Sequence, residues 1–167
     1  MADIPTLETE RLLLRSMTFE DWPRYFDLMA SKRAQYMNGP HSKSAAWGMF
    51  CHDVALWHLF GHGALMIEDK ETGSCLGQVG INGGPSYMEK ELGWYVYEEA
   101  EGKGYAFEAA LCFRDWAFRT LGLETLVSYI EPRNERSIAL AERLGAVLDP
   151  EAQRNVPEDL VFRHPKP

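Results

Sequence analysis

The chain has 167 residues, 46% of them hydrophobic and 25% charged, which is the balance of an ordinary folded domain and excludes a disordered segment. Seventeen Lys and Arg against twenty-five Asp and Glu leave a formal charge of -8. That balance argues against nucleic-acid binding, which needs a basic footprint to displace counterions, and it tolerates a cationic or amine substrate.

No run reaches the ~18–20 apolar residues of a membrane span, so no membrane partner is expected. The start, Met1-Ala2-Asp3-Ile4-Pro5, lacks the basic flank and apolar run of a secretory signal. Cys51, Cys75 and Cys112 are too few and too scattered for a disulfide framework or a zinc knuckle. A single domain over 1–167, cytoplasmic and with reduced thiols, is therefore expected.

Arg11-Leu12-Leu13-Leu14-Arg15 reads as an edge strand. Thr18 and Asp21 resemble an N-terminal cap for a helix that carries Phe19, Trp22, Tyr25, Phe26 and Met29 at helical spacing, with Pro23 in its first turns. After Gly39-Pro40, Ser42 or Ser44 can cap a second helix through about Phe60, ended by Gly61 and Gly63. The period then changes. Ala64–Glu68 and Cys75–Ile81 read as strands joined by the loop Asp69–Gly73, and Glu91–Tyr97 is a third strand. From Gly104 the helical period returns through Ala106, Ala110, Phe113, Ala117 and Leu121. Leu126–Ile130 is a buried strand, Pro132-Arg133-Asn134 opens a last helix ended by Gly145, and Asp159–Phe162 is a final strand. The order describes an α/β mixed sheet with helices on both faces.

The stretch from Tyr97 to Ala106 follows a strand and opens a helix. Gly102 and Gly104 carry no Cβ, so a phosphate can approach the backbone closely. The free N–H groups of the first helical turn and the helix dipole then face it. The spacing matches neither the dinucleotide fingerprint nor the Walker loop, and a glycine pair at a tight turn is also ordinary punctuation.

Three fragments nevertheless occur in order: Glu91-Leu92-Gly93-Trp94, then Gly102-Lys103-Gly104-Tyr105-Ala106 with Glu108-Ala109, then Asn134-Glu135-Arg136-Ser137 with Leu144-Gly145. The set resembles the GNAT N-acetyltransferase superfamily, and within it the RimJ/RimL-like ribosomal-protein acetyltransferases. The opening Thr9–Arg15 and the segment Leu76–Gly80 are similar to that branch as well, so the resemblance runs from about residue 8 to 163. It implies the GNAT fold and acetyl-coenzyme A as acyl donor. Carried over by position, Gly102, Lys103, Gly104, Tyr105 and Ala106 would hold the pyrophosphate. Tyr95 and Val96 would pair with the pantetheine, Asn134 would hydrogen-bond it, and Ser137 would protonate the leaving thiolate. Glu101 stands where the family usually has Gln or Arg, and a carboxylate beside a polyanion is unfavourable.

Acetyl transfer to an amine also needs a group to take the amine proton. Glu91 is either that base, directly or through water, or a solvent-facing strand residue. Asn134 can cap the last helix as well as touch ligand. His52, His58 and His62 are read as surface or substrate-wall residues, with no metal called for. Trp47, Trp57 and Phe60 are expected in the core, with Tyr36, Trp47 and Trp57 as alternative walls of an acceptor pocket. Cys112 is expected to be inert core. The reading is an N-acetyltransferase acting by direct transfer in a ternary complex on an amine-bearing acceptor: a protein N-terminus, an amino acid, a polyamine or an aminoglycoside. A homodimer is left open. The rival from another class is an acyl-coenzyme A-binding sensor that has lost catalysis.

Overall fold

Eight strands lie in one mixed sheet, in the order β1-β2-β3-β4-β5-β6-β8-β7. In the computed structural model, which describes residues 3–167, they are β1 (Leu7–Glu8), β2 (Leu12–Arg15), β3 (Ala64–Asp69), β4 (Cys75–Asn82), β5 (Glu91–Val96), β6 (Val127–Ile130), β7 (Val147–Leu148) and β8 (Leu160–Arg163). Four helices accompany them: α1 (Trp22–Met29), α2 (Lys43–Phe60), α3 (Tyr105–Arg119) and α4 (Glu135–Arg143). The sequence reading of the chain start falls partly on Met1 and Ala2, outside the described residues. Among those residues no helix is long and apolar enough to cross a membrane.

Strand alternation divides the sheet into two faces. Leu12, Leu14, Leu65, Ile67, Val79, Ile81 and Leu92 join Ala109, Ala110, Phe113 and Ala117 of α3 in the largest buried cluster. Ala141 of α4 packs with Ile130 and Phe162 beside Trp94. On the other face Tyr25, Met29, Ala46 and Phe50 of α1 and α2 form a second core, against which Tyr95 packs.

The helix limits have local causes. Thr18 N–H donates to Asp21 Oδ2 at 2.8 Å, which fixes the turn leading into α1. Ser42 accepts from Ala45 N at 3.1 Å and caps α2, and Gly61 closes that helix at φ +73°.

Two expectations change. Residues 12–15 are the second strand from the margin, because the two-residue β1 pairs outside them and covers their edge. Trp47 and Phe60 are exposed at 43% and 47%; Trp47 stacks on Phe50 at 5.7 Å from the solvent side. Trp57 is core, its Nε1 donating to Ala64 O at 2.9 Å.

The sheet has a seam. β5 and β6 run parallel but share a single register pair, Glu91 with Val127. Beyond it the Ser128 hydroxyl donates to Leu92 O at 2.6 Å and Tyr129 N to the Glu91 carboxyl at 3.3 Å.

Candidate active site

The seam lies between two cavities. One, of about 500 Å³, is lined by Arg33, Val96, Glu101, Gly102, Gly104–Phe107, Arg136 and Arg143. The other, of about 750 Å³, lies over the α1/α2 face and contains Asp53, Gln78, Tyr87, Glu91 and Gly93. Trp94, Tyr95, Asn134 and Ser137 line both, and so does Tyr36.

The smaller groove is built around the turn into α3. Gly102 and Gly104 sit at φ +71° and +80°, in the left-handed region that favours glycine. A Cβ at Gly102 would meet nothing within 4 Å, so the space above the turn is open. α3 begins at Tyr105 with Gly104 as its N-cap, so its first N–H groups end the helix without helical partners.

A brace from the far end of the chain holds this turn. Glu108 of α3 accepts from Thr9 Oγ1 at 2.6 Å, Arg11 N at 2.9 Å and Arg11 Nε at 2.7 Å. The Arg11 guanidinium then donates to Lys103 O at 3.0 Å and lies 4.4 Å above the Tyr105 ring. Two motifs remote in sequence are thus one structural unit. Lys103 itself turns back, its Nζ donating to Glu99 O at 2.9 Å.

Glu101 is not a bare negative charge. It pairs with Arg33 and, at 2.5 Å, with Arg136 Nη1. Arg136 and Arg33 hold its carboxyl below the usual carboxylate range, against a smaller effect of burial.

The exposed side of β5 is set by the same alternation. Tyr97 N donates to Leu76 O of the strand preceding β5 in the ladder, whereas Leu92 O and Val96 O accept from Ser128 and Arg33 instead. The main-chain groups of Trp94 and Val96 therefore face the seam. Those of Tyr95 face Gln78 in the β4 ladder, and its side chain enters the larger cavity.

Glu91 begins β5 and faces the larger cavity. Asn82 Nδ2 donates to its Oε1 at 2.9 Å and Tyr129 N to its Oε2 at 3.3 Å. Burial pushes the carboxyl up to about 7 despite those two donors. Asp53 of α2 lies in the same lining with one donor, Gln78 Nε2 at 3.2 Å, and burial likewise pushes it up to about 7. Tyr87 is raised to about 12, by burial first and then by Glu91 and Asp53. Ser137 stands in the first turn of α4, its N–H donating at 3.3 Å to Oδ1 of the cap Asn134. That leaves the Asn134 amide nitrogen for the cavities.

Other sequence readings fall elsewhere. Tyr36 is a wall of both cavities, whereas Trp47 and Trp57 line neither. His52 lines the larger cavity and His58 is exposed. His62 is buried instead, its Nδ1 2.8 Å from Ile81 O. Cys112 is half-buried on α3, with its thiol raised by burial. Asp53, Tyr87 and the brace Arg11 were not singled out by sequence. Asp53 carries no signal there, because it sits in an otherwise mixed helical stretch, Cys51-His52-Asp53-Val54.

The site thus joins a split parallel pair to a glycine turn on one side and a half-buried, cavity-facing carboxyl on the other. Residues 11–147 match the acetyltransferase (GNAT) domain model, and the chain belongs to that family. A crystal structure of an acetyltransferase from Agrobacterium tumefaciens str. C58 is 58% identical, covers 98% of this chain and 96% of its own, and superposes with a TM-score of 0.96. The Bacillus subtilis protein YkkB, described as uncharacterized, is 30% identical over 158 residues, with 83% of each chain covered. RimL, a ribosomal L7/L12 alpha-N-protein acetyltransferase, shares the fold at 17% identity and a TM-score of 0.73, with 96% of this chain and 91% of that one covered. Ribosomal-protein acetyltransferases are thus among the proteins that share this fold.

Proposed function

We propose that the protein transfers the acetyl group of acetyl-coenzyme A directly to a primary amine, with both substrates bound together. One observation carries this reading: the two cavities meet at the seam, sharing Trp94, Tyr95, Asn134 and Ser137. A donor in one can reach an acceptor in the other without a covalent enzyme intermediate.

The smaller groove fits coenzyme A. Its phosphates belong at the open glycine turn, over Gly102, Lys103, Gly104, Tyr105 and Ala106, where first-turn N–H groups and the helix dipole favour an anion. The arginines at 33, 136 and 143 add positive charge along the lining. The seam-facing groups of Trp94 and Val96 would take the pantetheine as a strand in the place β6 vacates. This moves the pairing expected of Tyr95 one residue back, while Val96 keeps its role. Asn134 Nδ2 would hydrogen-bond the same arm.

When bound, the donor supplies a thioester, an acetyl group already activated for attack by nitrogen. The residues do the rest. Glu91 accepts a proton from the incoming ammonium or amine, a task suited to a carboxyl that titrates near neutrality. The N–C bond forms as C–S breaks, and the Ser137 hydroxyl passes its proton to the departing sulfur and is reprotonated by the proton that the acylated nitrogen gives up. Tyr36, Tyr87 and Tyr95 wall the cavity in which the reacting pair would meet.

Thiol release from acetyl-coenzyme A, followed against a panel of primary amines with mass analysis of the products, tests this reading. Amine-dependent release with N-acetylated product is expected. Tight coenzyme A binding with no release on any amine would instead favour the acyl-coenzyme A sensor.

A further inference from the structure

The acetyl-transfer reading leaves one half-buried carboxyl of the larger cavity, Asp53, unused. Where β4 and β5 cross the larger cavity, Gln78, Gly80 and Asn82 pair in register with Tyr95, Gly93 and Glu91. Alternation puts all six on one face. The middle pair has no side chains, and a Cβ built on Gly93 would find only Asn82 Nδ2, at 3.9 Å. The cavity therefore has a bare glycine floor, open above Gly93.

Each end of that floor carries a carboxyl held by an amide of β4. Asn82 presents Glu91 at one end, and Gln78 presents Asp53 at the other. Gln78 and Asn82 are four residues apart, so the two anchoring points stand about 13 Å apart along the strand. Among the described residues no Lys or Arg lines the cavity, while Asp159 and Glu131 add two further carboxyls. A buried carboxylate without a cation is unfavourable. Asp53 can be compensated by keeping its proton, toward which burial already pushes it, or by a cation that enters the cavity. The Tyr95 hydroxyl and His52 Nε2, buried in this lining, also have no hydrogen-bond partner. Tyr95 packs in the same lining as Asp53, so its hydroxyl adds a second polar group at that end.

We propose that Asp53 is a specificity-determining anchor, and that the acceptor is a small amine carrying a second cationic nitrogen, which Asp53 binds while the first is acetylated near Glu91. The floor between them suits an unbranched methylene chain, since Gly93 leaves room for it and Gly80 and Ala64 beside it offer no polar side chain to desolvate. A monoamine fills only the reacting end and leaves Asp53 uncompensated.

The proposal rests on the acetyl-transfer reading, and the test separates the two. Acetyl transfer is measured for α,ω-diaminoalkanes of increasing length, each against the 1-aminoalkane of equal chain length. The best diamine should exceed its monoamine at least about tenfold in kcat/KM, mostly through KM, because a charge-assisted hydrogen bond to a buried carboxylate is gained. Asp53→Asn, which can still bond Gln78, should bring that ratio to about one by raising the diamine KM. Equal kcat/KM for diamines and monoamines in the wild type overturns the proposal without any variant, as does an Asp53→Asn protein that keeps the preference. If no amine is acetylated, the acetyl-transfer reading fails, and calorimetry with coenzyme A present decides this one. Diamine binding about tenfold tighter than monoamine supports Asp53 as anchor; equal or absent binding overturns it.

Discussion

Glu91 owes its chemistry to standing at the first position of β5, where the sheet still closes over it but the seam has begun. Its folded carboxyl titrates near 7, against an ordinary value of 4.5, chiefly through burial. As the proposed base, it must be ionised, so kcat/KM should rise with pH through about 7. Glu91→Gln should flatten that acidic limb and lower the plateau by roughly 10²–10⁴-fold; a variant that keeps both the limb and the rate would remove Glu91 from catalysis. The same shift has a sign for stability. Because the folded state holds this proton more tightly than the unfolded chain, the favourable balance is complete below about 4.5 and is lost as pH rises through about 7. Urea unfolding at intervals across that range should show a shallower decline in Glu91→Gln than in the wild type.

Glu101 shows the opposite lesson at the same scale. Read in the sequence, it repels a polyanion. In the structure Arg33 and Arg136 neutralise it and carry a net positive charge into the groove. Pairs this exposed are worth about 0.2–1 kcal/mol. Glu101→Gln should therefore change the dissociation constant of acetyl-coenzyme A by less than about fivefold by calorimetry. A larger loss would show that Glu101 positions the two arginines in a way that charge alone does not capture.

At the scale of elements, the turn into α3 is the most exacting. Gly104 needs φ +80° and Gly122, after the other end of α3, needs +73°, so a valine at either site strains the backbone alike. Only the first lies in the groove. Gly104→Val should abolish acetyl-coenzyme A binding in calorimetry, while Gly122→Val loses comparable melting temperature and keeps binding. Equal affinities in the two would move the phosphate site elsewhere. That turn, the helix caps and the strands β3 to β5 are legible in sequence because glycine, serine and period changes are local signals. The site is only half legible by the same means. Gly102, Gly104, Glu91, Asn134 and Ser137 stand in local patterns, and the structure gathers them around the seam. Asp53 depends on Gln78, which is 25 residues away, and no local rule couples them. Likewise sequence shows no strand parity, so it cannot tell that the Tyr95 main chain pairs with Gln78 rather than facing the seam. A tryptophan such as Trp47 reads as core in sequence, although it covers Phe50 from outside.

For the whole molecule, the seam means that the sheet consists of two panels. The first runs from β1 to β5; the second comprises β6, β8 and β7 with α4 packed on it. Across their boundary one ladder position is reinforced by a few side-chain ties, such as Arg163 to Glu89 at 2.9 Å and Ser128 to Leu92. A bound pantetheine would act as a splint between the panels. At a ligand concentration 100 times its dissociation constant, mass action adds about 2.7 kcal/mol, which for a chain of this size amounts to roughly 5–10 °C in melting temperature. Amide hydrogen exchange would locate the gain. Trp94 and Val96 should exchange rapidly in the free protein and slow on binding, and the protection of β6 and β8 should rise toward that of β3 and β4. If protection instead rose evenly across the sheet, the panels would already move as one. With the expected pattern, the cofactor is a removable ninth strand, and the protein is most liable to open along the seam in the interval between turnovers.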